Sequence, residues 1–236
     1  MIDFLRLEIG QGGVRPCPRC ARGQGEQDVP ASIEVIEERV AELISVAQIP
    51  SVMMDGFEPF QHPELPRIVA ALKDAGVRRI GMCTDAAGLM SPHDARGCIE
   101  AGVRVFEVPL LPDALGVAAG VSAPPLQASL QGIARIREVA QHLGVFVFVS
   151  AAVPACSHSA PHFAEMVQAA INAGVDGIRV ECASPGRLID KATLSAAHDL
   201  ATQAAIAFFG DGCEDYLLGT PLYTINAISE QQADNG

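Results

Sequence analysis

Two thiols three positions apart, Cys17 and Cys20, follow the glycine-rich stretch Gly10-Gln-Gly-Gly13-Val-Arg-Pro16. A Cys-x-x-Cys pair brings both sulfurs onto one tight turn. That spacing suits a single metal ion, a cluster or a redox dithiol. Acidic and hydroxyl side chains recur where other apolar runs end: Asp55 and Glu58, then Thr84 and Asp85, Glu107, Ser150 and Glu181. The six histidines show no metal spacing. His158 and His162 lie four apart, but Pro161 between them argues against a shared helical face. Gly10-x-Gly12 leads into proline and cysteines instead of a helix, so it is not a dinucleotide fingerprint, and no phosphate-binding loop or nucleophile elbow is present.

The elements that must position these residues are legible in the hydropathy pattern. Strand-like and helix-like stretches alternate almost throughout. The strands are expected at 4–10, 51–54, 79–83, 103–110, 145–149, 176–181 and 206–209. The helices are expected at 33–47, 64–75, 94–101, 126–143, 161–173 and 188–205. Gly76, Gly102, Gly144 and Gly174 stand where four of these helices should close. Buried strands alternating with helices imply a parallel sheet wrapped by helices, with sites at the C-terminal ends of the strands. A closed eight-unit barrel needs roughly 250 residues, so the expected architecture is α/β, a partial, open (β/α)6–7 TIM-like barrel over residues 1–222, with a polar tail at 223–236.

The net charge of −12, with scattered basic residues, argues against nucleic acid as a partner. No apolar run is long enough for a bilayer and no signal-peptide pattern opens the chain, so the expectation is a cytoplasmic protein without membrane contact. Seven cysteines, of which only Cys17 and Cys20 lie close together, fit a reducing compartment better than a disulfide framework.

Asp55-Gly-Phe-Glu-Pro-Phe-Gln-His-Pro-Glu-Leu65 resembles the Gly-Gly-Glu-Pro motif of the radical S-adenosylmethionine enzymes, including the His-Pro-x-Leu that leads into a helix. Ala75 to Asp85 is similar to that family's third strand, where Thr-Asn-Gly is common, and Leu126 to Val153 to its helix and fifth strand. The resemblance runs from about Leu5 to Glu181. It implies a [4Fe-4S] cluster held by three thiolates of Cys-x3-Cys-x2-Cys, with S-adenosylmethionine on the fourth iron as the source of a 5′-deoxyadenosyl radical. Cys17 and Cys20 match the second and third cysteines; Gly13 stands at the first, and Arg19 where an aromatic residue is usual. Phe57 replaces the second glycine of the Gly-Gly-Glu-Pro motif.

By this resemblance Cys17 and Cys20 are the metal ligands, and Gly56, Glu58, Glu107 and Ser150 contact the cofactor. Thr84, Asp85 and Glu181 are substrate contacts on the same reasoning. Each has a plainer reading: free thiols, a strand-to-helix turn with a structural Pro59, and polar strand ends touching water. Cys83 or Cys182 could supply the missing thiolate, or be small core residues. Zinc, or a four-cysteine site shared between two chains, is the alternative to the cluster. The expected function is a degenerate member that kept the barrel and lost the radical chemistry, binding a small molecule, a peptide or a partner protein in a biosynthetic pathway. The alternative is an active enzyme with an atypically ligated cluster that cleaves S-adenosylmethionine to modify a peptide or small metabolite.

Overall fold

The computed structural model describes residues 4–11, 29–46, 51–89, 92–112, 125–155, 159–181 and 189–211. Strand β1 (Phe4–Glu8) runs into a two-residue strand β2 (Gly10–Gln11), which pairs antiparallel with β3 (Val29–Pro30). Then follow α1 (Ile33–Val46), β4 (Ser51–Asp55), a 3-10 turn (Pro59–Gln61), α2 (Leu65–Asp74), β5 (Arg79–Cys83), α3 (Pro92–Ala101) and β6 (Val103–Pro109). The remainder is α4 (Leu126–Leu143), β7 (Phe148–Pro154), a second 3-10 turn (Ala160–His162), α5 (Phe163–Ala173), β8 (Gly177–Glu181), α6 (Lys191–Gln203) and β9 (Ala207–Asp211).

Seven strands form one parallel sheet in the order β1-β4-β5-β6-β7-β8-β9. The two edge strands do not pair with each other, so the barrel is open, as expected. Successive side chains in a strand point to opposite faces. Leu5, Leu7, Val52, Met54, Ile80, Met82, Phe106, Val149, Ala151, Ile178 and Val180 therefore join the helices in one continuous core. The intervening residues line the concave inner face. Gly76, Gly102, Gly144 and Gly174 all have positive φ, so the four expected glycine closures are present.

Two features differ from the sequence expectation. The fifth strand of the repeat is shifted along the apolar run at 145–149: β7 begins at Phe148 and continues to Pro154, within the Leu126–Val153 stretch matched to the family's helix and fifth strand. Val145 is spent on closing α4, its N–H bonding the Ala140 carbonyl past the left-handed Gly144. Ser150 therefore sits within the strand, not at its end. The β2–β3 pair was not foreseen, because two-residue strands carry no periodicity. The tail at 223–236 lies outside the described residues. No helix among the described residues is long and apolar enough to cross a membrane.

Candidate functional site

The turn after β4 is built by close backbone approach. Ile9 donates to the Asp55 carbonyl at 2.9 Å, and Ala31 donates to the Ile9 carbonyl at 2.9 Å. Gly56 has φ +85°, and a Cβ there would lie 2.6 Å from the Gly10 carbonyl oxygen. A Cβ on Gly10 would in turn meet Phe57 Cβ at 2.9 Å and the Val29 carbonyl oxygen at 2.5 Å. Only glycine fits at either position. The segment 12–28, with Cys17 and Cys20, is thus clipped at both ends beside the Gly56 turn; those cysteines and Gly13 lie outside the described residues. Phe57 is buried, edge-on to His62 with ring centroids 5.8 Å apart. His62 accepts from the Glu64 N–H at Nδ1 (3.1 Å), which leaves Nε2–H to donate to the Ala31 carbonyl at 3.1 Å. Both ring nitrogens are spent on structure.

Glu58 is buried and turned into the protein. Its Oε1 accepts from Thr84 Oγ1 at 2.7 Å and from the Phe60 N–H at 3.1 Å, and its Oε2 accepts from the Asp85 N–H at 2.8 Å. The carboxylate ties the β4 turn to the end of β5. Burial, with the neighbouring Asp85 charge adding to it, pushes Glu58 up to about 7; burial also raises Asp85. Thr84 Oγ1 accepts from the Ala86 N–H, and Ala86 is held at φ 57° against Gly132 of α4.

The sheet register gathers the other candidates into one belt on the inner face. Glu8 pairs with Asp55, Cys83 with Glu107, Glu107 with Ser150, and Ser150 with Gly177. The pairing of Met54 with Met82 brings Asp55 opposite Cys83 one step on. Two arginines that sequence reasoning missed complete the belt. Arg6 pairs with Asp55. Arg179 reaches over β7 to Glu107, with Nε to Oε2 and Nη2 to Oε1 both at 2.7 Å, and also contacts Glu181. The inner-face residues of β7 between them, Ser150 and Ala152, are small enough to allow that crossing. The signal was present: Arg6 interrupts Leu5 and Leu7, and Arg179 shares the face of Glu181 by period two.

Glu107 is 2% exposed and Ser150 is fully buried, so neither is a strand end touching water. Ser150 Oγ is the one buried side-chain polar atom among the described residues without a hydrogen-bond partner. Enclosure, then the carboxylates of Asp55 and Glu107, pushes the Cys83 thiol well up, so it is a protonated thiol at neutral pH. Burial raises Glu181 too, with Arg179 opposing it. Beside the free edge of β1 a cleft of about 420 Å³ is lined by Arg6, Leu7, Glu8, Arg39, Glu42 and Leu43.

No protein-family model matches the sequence, and no curated protein matches it. Solved structures do. SuiB of Streptococcus suis bound to S-adenosylmethionine superposes with a TM-score of 0.65 at 15% identity, covering 89% of this chain and 50% of SuiB. SuiB bound to its precursor peptide SuiA gives 0.66 at 15% identity over 90% of this chain and 50% of SuiB. The protein anSMEcpe with bound AdoMet gives 0.58 at 11% identity over 87% of this chain and 63% of that protein.

The fold is that of the radical S-adenosylmethionine enzymes. This chain spans half the length of SuiB. Among the described residues no group of three or more His, Cys, Asp or Glu side chains could hold a metal ion. The radical S-adenosylmethionine cluster asks for three thiolates. Of that motif this sequence offers Cys17 and Cys20; Cys83 lies on the belt, and Cys182, the other cysteine expected at a strand end, lies outside the described residues. With Gly13 at its first position, the motif itself supplies two of those three thiolates. For the cofactor the fit is divided. Ser150 Oγ is buried with a hydrogen bond to spare, but a carboxylate would compete with Glu107 and Glu181 for Arg179, and with Asp55 for Arg6.

Proposed function

We propose that this chain is a binding relative of the radical S-adenosylmethionine enzymes that retains the open barrel without the standard radical chemistry, and that it takes a small molecule or a peptide on the inner face in support of a biosynthetic pathway. The observation that carries this reading is the mismatch at the cluster motif: Gly13 gives no thiolate where the resembled Cys-x3-Cys-x2-Cys has its first cysteine, which leaves Cys17 and Cys20. Glu58 supports it, since three internal hydrogen bonds already occupy its carboxylate. Phe57 supports it as well, filling space where the resembled motif has no side chain. On this reading Gly56 serves the turn, and Glu107 and Ser150 belong to the binding surface. A site for a partner protein is a finer possibility that the same surface would serve.

Anaerobic reconstitution with iron and sulfide, followed by reduction in the presence of S-adenosylmethionine, tests the reading. The expected result is no four-iron complement, or zinc alone, and no 5′-deoxyadenosine. Four irons per chain with 5′-deoxyadenosine formed would replace it with the second reading, an enzyme with an atypically ligated cluster. The superposition on S-adenosylmethionine-bound SuiB favours that second reading.

A further inference from the structure

Resting on the binding reading above, we propose that the inner-face belt takes an alkylammonium group that carries no carboxylate beside it. Charge counting comes first. Asp55, Glu107 and Glu181 meet Arg6 and Arg179, three carboxylates against two guanidiniums, and the exposed Glu8 continues the row at the rim, where Arg39 donates to its carbonyl. Asp55 occupies Arg6, and Glu107 and Glu181 share Arg179. The belt therefore has an excess of negative charge in a partly desolvated place, where a missing cation matters most.

The second observation is independent of charge. Ser150 Oγ lies in the middle of the same register row, fully buried and without a partner. A buried hydroxyl left so is uncommon and marks a place for a ligand atom. An ammonium group has three N–H donors, and together the hydroxyl and the carboxylates supply acceptors for them. The two guanidiniums of the belt are already engaged, and Arg39, at the cleft, donates to the Glu8 carbonyl, so a carboxylate set directly beside the ammonium would meet no unengaged cation within the belt. The belt opens at Glu8 onto the cleft of about 420 Å³, where Leu43 offers apolar surface to an alkyl stem and Glu42 a further carboxylate.

Cadaverine and lysine form the discriminating pair, because they differ by one carboxylate. Titration calorimetry on the full chain at low salt is expected to give cadaverine at least tenfold tighter binding than lysine. Nα-acetyl-lysine methylamide separates the two sources of the group: binding as tight as cadaverine assigns a lysine side chain of a peptide, and weaker binding a free amine. Glu181→Gln and, on the accessible rim, Glu8→Gln are each expected to weaken cadaverine at least fivefold; Ser150→Ala, which leaves both charges in place, should do so about threefold. Equal affinity for lysine and cadaverine, no cadaverine binding, or variants that bind as the parent does would each overturn the proposal. The iron and 5′-deoxyadenosine assay reads the underlying function separately, so a loaded cluster with intact cadaverine binding would remove that reading and leave this one standing.

Discussion

At the scale of single residues, the chemistry of this protein is set by carboxylates held away from water. Glu58 has an ordinary value near 4.5 and stands at about 7 in the folded chain. An acid whose value is raised on folding contributes its full stability below its unfolded value and loses it as pH rises through the folded one. The parent should therefore lose on the order of 3 kcal/mol of unfolding free energy between pH 4.5 and pH 7 from this group alone. Glu58→Gln, measured by urea denaturation across that range, should flatten that fall. It should also lower stability at pH 4.5 by about 1 kcal/mol, since an amide cannot accept from Thr84, Phe60 and Asp85 together. Arg179 offers the complementary test. Arg179→Met leaves Glu107 buried without its cation, and the loss should be about 3–5 kcal/mol in the same measurement at neutral pH.

At the scale of elements, two close approaches fix the turns that carry the site. Helix α4 meets the loop after β5 at Gly132, where a Cβ would run into the Ala86 carbonyl. Gly132→Ala gains about 1 kcal/mol of helix propensity, yet the clash should outweigh it and leave the protein about 1–3 kcal/mol less stable; a thermal melt above the parent's would refute the packing. These elements also show what the sequence disclosed. Strand–helix alternation and the glycine closures were readable because period and cap chemistry are local. The turn at Asp55-Gly56-Phe57-Glu58 was found as a motif, but its inward-facing Glu58 was not, since that depends on Thr84 and Asp85 arriving from another strand. Ser150 was placed at a strand end because the apolar run at 145–149 hid where β7 begins. The arginines of the belt were passed over because each is a lone cation within an apolar strand, and only the register reveals its partners.

At the scale of the whole molecule, the sheet has two unequal regions. Among the described residues, strands β6 and β7 are flanked on both sides, whereas β1 and β9 each have one neighbour in the seven-stranded sheet. Native-state hydrogen exchange should find the slowest amides in β6 and β7 and the fastest strand amides in β1 and β9; uniform protection would argue that another segment covers the edges. The belt crosses this gradient from Glu8 at the rim to Ser150 at the centre, so its accessible end lies where the fold is least protected. The antiparallel clip of Gly10–Gln11 with Val29–Pro30 has a practical corollary. Its two strands bring the ends of the cysteine segment side by side, so a two-residue Asn-Gly hairpin could replace residues 12–28 and keep the clip in register. A thermal melt of that shortened chain would read directly what the excised thiol segment contributes to the barrel's stability.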